Sequence, residues 1–187
     1  MFSIIQSASV AANAKIISFL SGERPDSEGR YLRDIQEWPD GPLESIHDFI
    51  QWMFPLAEPS PVNPDAPVLD ADTISAIRTN SALQRALRAS WLRMLDFYGL
   101  EVRDQGVECA HSFAIKSQNW LRPGNHNHLR ITRILKCLRL LGLEQEALAF
   151  FACLRSIYEL ERAQTRPGIT ERTFRFWEEA AGAPRNT

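Results

Sequence analysis

Apolar residues recur every three or four positions along most of the chain, and the alternating pattern of a strand is scarce. The clearest run ends just before Gly99 and contains Leu83, Leu87, Trp91, Met94 and Tyr98. Glycine commonly follows the last turn of a helix, so this run predicts a helix that stops there. The whole pattern predicts an all-α fold, in which residues 1–187 form one compact domain, a multi-helix bundle of about six to eight helices.

The remaining helices are predicted from the same spacing together with start and stop signals. They are expected within Phe2–Leu20, around Tyr31–Trp38, from Pro42 to Pro55, after Asp70–Asp72, over Glu108–Leu121, from His128 to Leu141, over Leu143–Ala163 and at residues 170–181. Ser81 and Gln84 have the spacing of a capping box, which predicts a bend near Asn80. Thr170 is the expected cap of the last helix. The long helix is expected to bury a face with Leu148, Phe151, Leu154 and Tyr158.

A proline-rich stretch, PLAEPSPVNPDAPVL, interrupts the helical pattern with prolines at positions 55, 59, 61, 64 and 67. Each proline fixes its own φ and restricts the residue before it, which predicts an extended surface loop. Trp52 precedes this loop and lies off the apolar face of its helix. Two interpretations are open. The loop covers the indole ring, which we prefer because aromatic rings pack well on proline, or the ring anchors a binding partner.

Composition and charge limit the classes of protein to which the chain can belong. The chain has 187 residues, 44% hydrophobic and 24% charged, with a net charge of −2 and a pI near 6.1. We expect a soluble globular protein without a nucleic-acid partner. No apolar run has the length of a transmembrane segment, and the N-terminal stretch lacks the basic start of a signal peptide. Three cysteines without metal-site spacing predict reduced thiols in the cytoplasm.

The sequence GNHNHLRITRIL, at Gly124–Leu135, contains the most suggestive chemistry. His126 and His128 would supply two ligands to a metal ion, whereas a zinc site needs three or four. His47 and Asp48 could complete the set if their helix meets this one. The metal interpretation therefore depends on a contact that the spacing alone does not predict.

Asn125 and Asn127 favour a different role for the same stretch. Asparagine is a good N-cap residue, and the first turn of the following helix has four unpaired N–H groups. We therefore expect a helix-capping loop and predict neither a metal nor another cofactor. The order Asn–His–Asn–His superficially resembles histidine–asparagine–histidine nucleases, but these need a strand hairpin and separated ligands, so a nuclease is not expected.

Arg130 falls close to the buried face of its helix, where an unpaired guanidinium would be very costly. Asp48 and Glu44 are the candidate partners. We therefore predict a polar seam between two helices, containing His47, Asp48, Gln51, His126 and Arg130. The buried stripe of the Arg130 helix is expected to contain Ile131, Ile134, Leu135, Leu138 and Leu141, and its solvated flank Arg133, Lys136 and Arg139.

The predicted seam has two interpretations. As structure, which we favour, it is a hydrogen-bond network that fixes which helices pair. As function, it is a pocket in which His47 or His126 acts with Arg130 to bind a small anion or a peptide terminus, or to perform acid–base chemistry. The sequence has no nucleophile elbow, phosphate loop or dinucleotide fingerprint, so no catalytic residue is assigned. Asp26 and Arg30, in the turn PDSEGR, are expected to serve that turn.

Four stretches of the chain stand out: LESIHDFIQWMFPL, the proline loop ending in NPDAPVL, LRMLDFYGLEV and NHNHLRITRILKCLRLLGLE. The runs HDFIQWMFP and NHLRITRIL within them are long and unusual. The four stretches resemble, in the same order, the conserved domain of the opioid growth factor receptor family. The resemblance covers roughly Phe19–Tyr158, and the N-terminal helix and the helix at 170–181 are expected to pack on this region. The chain carries no receptor-type C-terminal repeats, so it looks like the short stand-alone microbial members.

The resemblance implies an all-helical, receptor-type module that binds a peptide and takes part in signalling. Vertebrate members of the family bind Met-enkephalin, act at the nucleus and are often grouped with membrane-associated receptors, whereas the residues here predict a soluble, cytoplasmic protein. The alternatives are an unrecognised enzyme or small-anion site in the seam, and a purely structural scaffold. The candidate binding residues are His47, Asp48, Gln51, Trp52, Asn125, His126, Asn127, Arg130, Asp26 and Arg30.

Overall fold

Helices account for most of the chain that the structure describes, and a short hairpin is the one sheet in that part. The structure is a computed structural model that describes residues 14–183 except 62, 65 and 105. The all-α prediction is confirmed, with the hairpin as an addition. The chain divides into two compact units between Ser90 and Trp91. The single domain expected from the sequence stays a prediction.

The first unit contains short helices and the proline loop. Its helices are α1 at residues 14–20, α2 at Leu32–Glu37, α3 at Asp40–Ser45, α4 at Ile50–Met53, α5 at Ala71–Thr79 and the beginning of α6, which runs over Ser81–Tyr98 and continues into the second unit. The predicted first helix, within Phe2–Leu20, is confirmed at residues 14–20, and its earlier part lies outside the described residues.

The single helix predicted from Pro42 to Pro55 is wrong, because the chain leaves the helical conformation between α3 and α4. Ile46 is extended, with φ −96° and ψ 135°. The residues at the break, Ile46, His47, Asp48 and Phe49, are all weak helix formers. Phe49 and Met53 are nevertheless buried, so the apolar spacing that predicted one helix is satisfied by two shorter ones.

The bend predicted near Asn80 is confirmed, but a different residue makes the cap. Asn80 separates α5 from α6, and its Oδ1 accepts hydrogen bonds from the backbone N–H of Ala82 at 2.9 Å and Leu83 at 3.2 Å. Gln84 donates from Nε2 to the carbonyl of Ile77 at 2.9 Å, which ties α6 back to the last turn of α5. The N-cap of α6 is therefore Asn80, one residue before the Ser81 that the capping-box spacing predicted.

The proline loop is attached to the first unit at both ends and near its middle. Leu56 and Val68 form an isolated parallel bridge, and the N–H of Leu69 donates to the carbonyl of Leu56 at 2.9 Å. Asn63 donates from Nδ2 to the carbonyl of Asp48 at 3.1 Å. Since Leu56 and Leu69 are buried, the loop contributes to the core of this unit as well as to its surface.

The second unit begins with the end of α6 and a hairpin, followed by the long helices. Its elements are β1 at Leu100–Arg103, β2 at Gly106–Cys109, α7 at Phe113–Lys116, a 3₁₀ turn at Ser117–Asn119, α8 at Asn127–Leu140, α9 at Glu144–Glu161 and α10 at Glu171–Ala181. Helix α8 packs against both α9 and α10, and α9 also packs against β2.

The helix predicted over Glu108–Leu121 is wrong at its start, because Glu108 and Cys109 belong to the antiparallel strand β2. Gly99 explains the change of direction. It has φ +77°, and a Cβ there would lie 2.8 Å from the Cα of Phe113. Only glycine combines this backbone conformation with so close an approach, so α6 ends there and the chain turns at once into the hairpin.

The core of the second unit follows the predicted helix faces with one exception. The predicted stripe of α8 is confirmed as fully buried, at Ile131, Ile134, Leu135, Leu138 and Leu141. The predicted cap of α10 is also confirmed, because Thr170 accepts from the N–H of Thr173 at 3.2 Å. Leu148 was expected on the buried face of α9, but its side chain is 39% exposed.

Candidate functional site

Asp26, in the turn between α1 and α2, is the centre of a charged cluster in the first unit. Its side chain is fully buried, and Oδ1 accepts from the backbone N–H of Glu28 and of Arg30, each at 2.9 Å. Oδ2 accepts from Nε of Arg30 at 2.7 Å and lies 2.7 Å from Nη2. One carboxylate therefore closes the turn and holds the guanidinium that follows it, as the turn role predicted for both residues requires.

Asp48, in the break between α3 and α4, is the second carboxylate of the cluster. Its Oδ1 accepts from Nη1 of Arg30 at 2.8 Å, and its side chain is 44% exposed. The guanidinium carbon of Arg30 also lies 5.8 Å from the centre of the Trp38 ring. Burial lowers the pKa of Arg30, but the hydrogen bonds to Asp26 and Asp48 outweigh it and raise the pKa above the usual value. We define the charged cluster as Asp26, Arg30 and Asp48.

Three other predicted site residues lie close to Asp48 in sequence. His47 is exposed, whereas Gln51 and Trp52 are 5% and 4% exposed. Within the described part of the chain, Gln51 Oε1 and Trp52 Nε1 are buried without a hydrogen-bond partner. The Trp52 ring packs edge-on against Phe19, with ring centres 5.4 Å apart. Trp52 therefore lies in the interior, and its ring is not an exposed anchor.

Asn125 makes the contacts that cap the start of helix α8 in the second unit, two residues before the first helical residue. Its Oδ1 accepts from the N–H of Asn127 at 2.8 Å, and its carbonyl accepts from the N–H of His128 at 3.1 Å. Its Nδ2 donates to the carbonyl of Asn119 at 2.8 Å, which joins the loop to the 3₁₀ turn. His126, the residue directly before the helix, makes no side-chain cap. Of the two predicted cap residues, Asn125 makes capping contacts, while Asn127 is the first residue of the helix.

Asn127 and Arg130 form a buried polar pair one turn apart on α8. Nη1 of Arg130 donates to Oδ1 of Asn127 at 3.1 Å, and both residues are buried. The predicted burial of Arg130 is thus confirmed. The predicted seam joins residues of the two units and stays a prediction.

His128 is held in the core of the second unit by three contacts. Its Nε2 lies 2.9 Å from the carbonyl of Trp120, so Nε2 carries the proton, since a carbonyl only accepts. Its own carbonyl accepts from Nε1 of Trp177 at 3.0 Å, and the two rings meet edge to face. Burial lowers the pKa of His128, His126 lowers it further, and the bond to Trp120 acts in the opposite direction.

Six of the predicted site residues form two groups of charged or amide side chains that hold turns and helix starts in place: Asp26, Arg30 and Asp48 in the first unit, and Asn125, Asn127 and Arg130 in the second. The sequence did not indicate that Arg30 bridges Asp26 and Asp48, nor that Asn63, Trp38, Trp120 and Trp177 contribute contacts. The spacing of four residues between Asp26 and Arg30 in the turn PDSEGR is the sequence signal for the ion pair between them. Among the residues described, no three histidine, cysteine or acidic side chains are grouped as metal ligands.

The segments described above lie within a region of the chain that matches a known protein family. The model of the opioid growth factor receptor (OGFr) conserved region matches residues 24–177. The chain belongs to this family. Both the charged cluster and the start of α8 lie inside the matched residues, so the family region includes all ten candidate site residues.

Curated relatives carry the same family name. The human opioid growth factor receptor is 41% identical over 122 residues, covering 62% of this chain and 18% of the receptor. The mouse opioid growth factor receptor-like protein 1 is 36% identical over 131 residues, covering 65% of this chain and 26% of that protein. The chain therefore spans about a fifth to a quarter of the length of these family members. No solved structure matches it. In the described residues, no helix has both the length and the apolar character to cross a membrane.

Proposed function

We propose that this chain is a receptor-type binding module, and that the charged cluster of its first unit binds a positively charged group of a peptide or protein segment. The observation that carries the proposal is the Asp48 carboxylate, which is fixed by Arg30 yet 44% exposed. A fixed carboxylate open to solvent can bind a ligand without first losing side-chain freedom.

Charge favours a cationic ligand over the small anion considered from the sequence. The cluster contains two carboxylates and one guanidinium, so its formal charge is negative. The Nε, Nη1 and Nη2 atoms of Arg30 all lie within 2.8 Å of a carboxylate oxygen. Arg30 is therefore already paired, and the exposed oxygen atoms of Asp48 attract an ammonium or guanidinium group.

The same contacts give less support to an enzyme. Asp26 already accepts hydrogen bonds from two backbone N–H groups and from Arg30, and its side chain is buried. A general base must reach the proton that it takes, and a carboxylate in this state has no free access to a substrate. Asp26 is thus suited to holding Arg30 in place rather than to proton transfer.

The names of the relatives point in the same direction. Two of them are described as an opioid growth factor receptor and a receptor-like protein. The family resemblance implies a peptide ligand, and peptides offer an amino terminus and basic side chains as cationic groups. Peptide binding and signalling come to this chain as part of our proposal, as does the cytoplasmic location expected from the sequence.

A calorimetric titration of the full chain tests the proposal. Met-enkephalin, the peptide that the family resemblance implies, is compared with its N-acetylated form, and a pool of random pentapeptides is compared with the same pool after acetylation. We expect binding of the free amino terminus and weaker binding after acetylation. Asp48→Asn should weaken binding about tenfold to a hundredfold, because one charge-assisted hydrogen bond is lost.

Glu37→Gln is the matched control, because it removes a carboxylate from the exposed Arg33–Glu37 pair of the same unit. Its affinity for each peptide should equal that of the unaltered chain. Equal binding of free and acetylated peptides, equal losses in the two variants, or no binding of either pool would contradict the proposal. Amide chemical shifts that change at Asp48 and its neighbours would place the ligand at the cluster.

A further inference from the structure

Two of the three cysteines meet in the second unit. Cys109 is the last residue of β2 and is exposed, whereas Cys153 lies on α9 and is 7% exposed. Each thiol shifts the pKa of the other, so the two side chains are neighbours where α9 packs against β2. Cys137 lies on α8 and is fully buried. Forty-three residues of intervening chain separate two cysteines that the fold brings near each other.

The contact follows from how the hairpin is placed. Antiparallel pairing aligns Cys109 with Leu100, the first residue of β1, which is buried. Helix α9 packs against β2, and Cys153 lies about midway along that helix. The end of a paired strand and the middle of a long helix are both constrained, so the two sulfur atoms stay neighbours while the unit is folded.

We propose that Cys109 and Cys153 form a redox site, which a low-molecular-weight disulfide converts into an intrachain disulfide. The Cys109 thiolate attacks one sulfur of the oxidant, forms a mixed disulfide and releases one thiolate. The Cys153 thiolate then attacks the Cys109 sulfur, closes the intrachain bond and releases the second thiolate. The two protein thiols lose two electrons, the oxidant disulfide gains them, and the two protons end on its two thiols.

The two cysteines are suited to different steps. Cys109 is exposed, so an oxidant from solution can reach it, whereas Cys153 is shielded and lies near Cys109. Burial raises the pKa of the Cys109 thiol and raises that of Cys153 to about 12. Both groups are therefore protonated near neutral pH, which makes the first step slow. The second step gains from the proximity of the attacking sulfur.

The disulfide would connect the hairpin to α9 and close a loop that contains α7, the capping residue Asn125 and α8. A cross-link over such a loop removes conformational freedom from the unfolded chain. Oxidation should therefore stabilise the second unit. The consequence is a fold whose stability depends on the thiol–disulfide balance around it.

Peptide mapping of the full chain tests this inference. The protein, dilute enough to disfavour links between chains, is incubated with oxidised glutathione, alkylated and digested without reductant. We expect the loss of two free thiols per chain, a linked peptide pair containing Cys109 and Cys153, and an unmodified Cys137. A phosphine reductant should restore both thiols. The oxidised chain should also have a higher Tm than the reduced chain.

Cys109→Ser and Cys153→Ser should abolish the linked peptide pair, while Cys137→Ala should retain it. The map of the unaltered chain decides the matter even if a variant fails to fold. Cys109 that remains bound to glutathione beside a free Cys153 would overturn the inference, as would dimers linked through Cys109. An unchanged Tm after complete oxidation would overturn the proposed effect on stability.

Discussion

His128 is the clearest residue whose environment opposes its charged form. The ring is buried, its Nε2 donates to a backbone carbonyl, and burial lowers its pKa below the ordinary 6.5. Protonation would place a positive charge in the core beside Trp177. A neutral imidazole is therefore part of the folded state, and the unfolded chain binds this proton more readily.

Stability of the protein should consequently fall in acid. The contribution of neutral His128 is fully present above pH 6.5 and is lost as the pH falls through 6.5 towards the lowered pKa of the folded state. We expect the free energy of unfolding, measured with urea at a series of pH values, to decrease over this window. His128→Gln, which keeps an N–H donor but does not titrate, should decrease less.

His111→Gln is the control for this prediction, because His111 is exposed. It should follow the pH dependence of the unaltered chain. If the free energy of unfolding falls equally steeply with decreasing pH in His128→Gln and in His111→Gln, the neutral form of His128 does not stabilise the fold, and the prediction is wrong.

Residue positions were easier to predict from the sequence than residue partners. The helical spacing places Arg130 near a buried face, and it is buried. The same reasoning could not find that Asp48 bonds Arg30, because the two lie eighteen residues apart and meet only through the turn at Asp26. A periodic pattern specifies which face of a helix is buried. The hydrogen-bond partner of a side chain depends instead on how the irregular segments between helices are folded.

At the scale of elements, the junction of α5 and α6 gives a direct test of which side chain caps α6. Asn80 accepts hydrogen bonds from two backbone N–H groups, whereas the sequence indicated Ser81. Asn80→Ala should lower the free energy of unfolding by about 1 kcal/mol, because the helix loses its N-cap. Chemical denaturation of the variant against the unaltered chain measures the difference.

Ser81→Ala is the matched variant for that measurement, since it changes the neighbouring residue that the capping-box spacing predicted. Little change is expected, because alanine is a good helix former and Asn80 still makes the cap. A larger loss from Ser81→Ala than from Asn80→Ala would contradict the capping contacts described above.

Long helices with clear ends were predictable, and the short elements between them were not. Glycine and threonine signals located the ends of α6 and the start of α10, at Gly99 and Thr170. The hairpin has only four residues in each strand, too few for alternation to outweigh the surrounding helical pattern. The break in the helix at Ile46 could not be predicted from the apolar spacing, because the apolar residues before and after it are buried as they would be in one continuous helix.

At the scale of the whole molecule, helix α6 belongs to both compact units. Helix α6 runs without interruption over Ser81–Tyr98, and the units divide between Ser90 and Trp91. Leu87 is buried before this division, and Met94 is buried after it. Because helix formation is cooperative along the chain, loss of structure before the division should reach the residues beyond it.

Leu87→Ala should therefore destabilise both units. Removal of a buried leucine side chain costs about 2–5 kcal/mol, and the first half of α6 should loosen. We expect faster hydrogen exchange at residues 81–90 and also at residues 91–98, since the second half of the helix then begins at a frayed end. Leu92→Ala is the control, because Leu92 lies on the same helix and is exposed. Faster exchange confined to residues before Trp91 would mean that the two units unfold independently, despite the helix that they share.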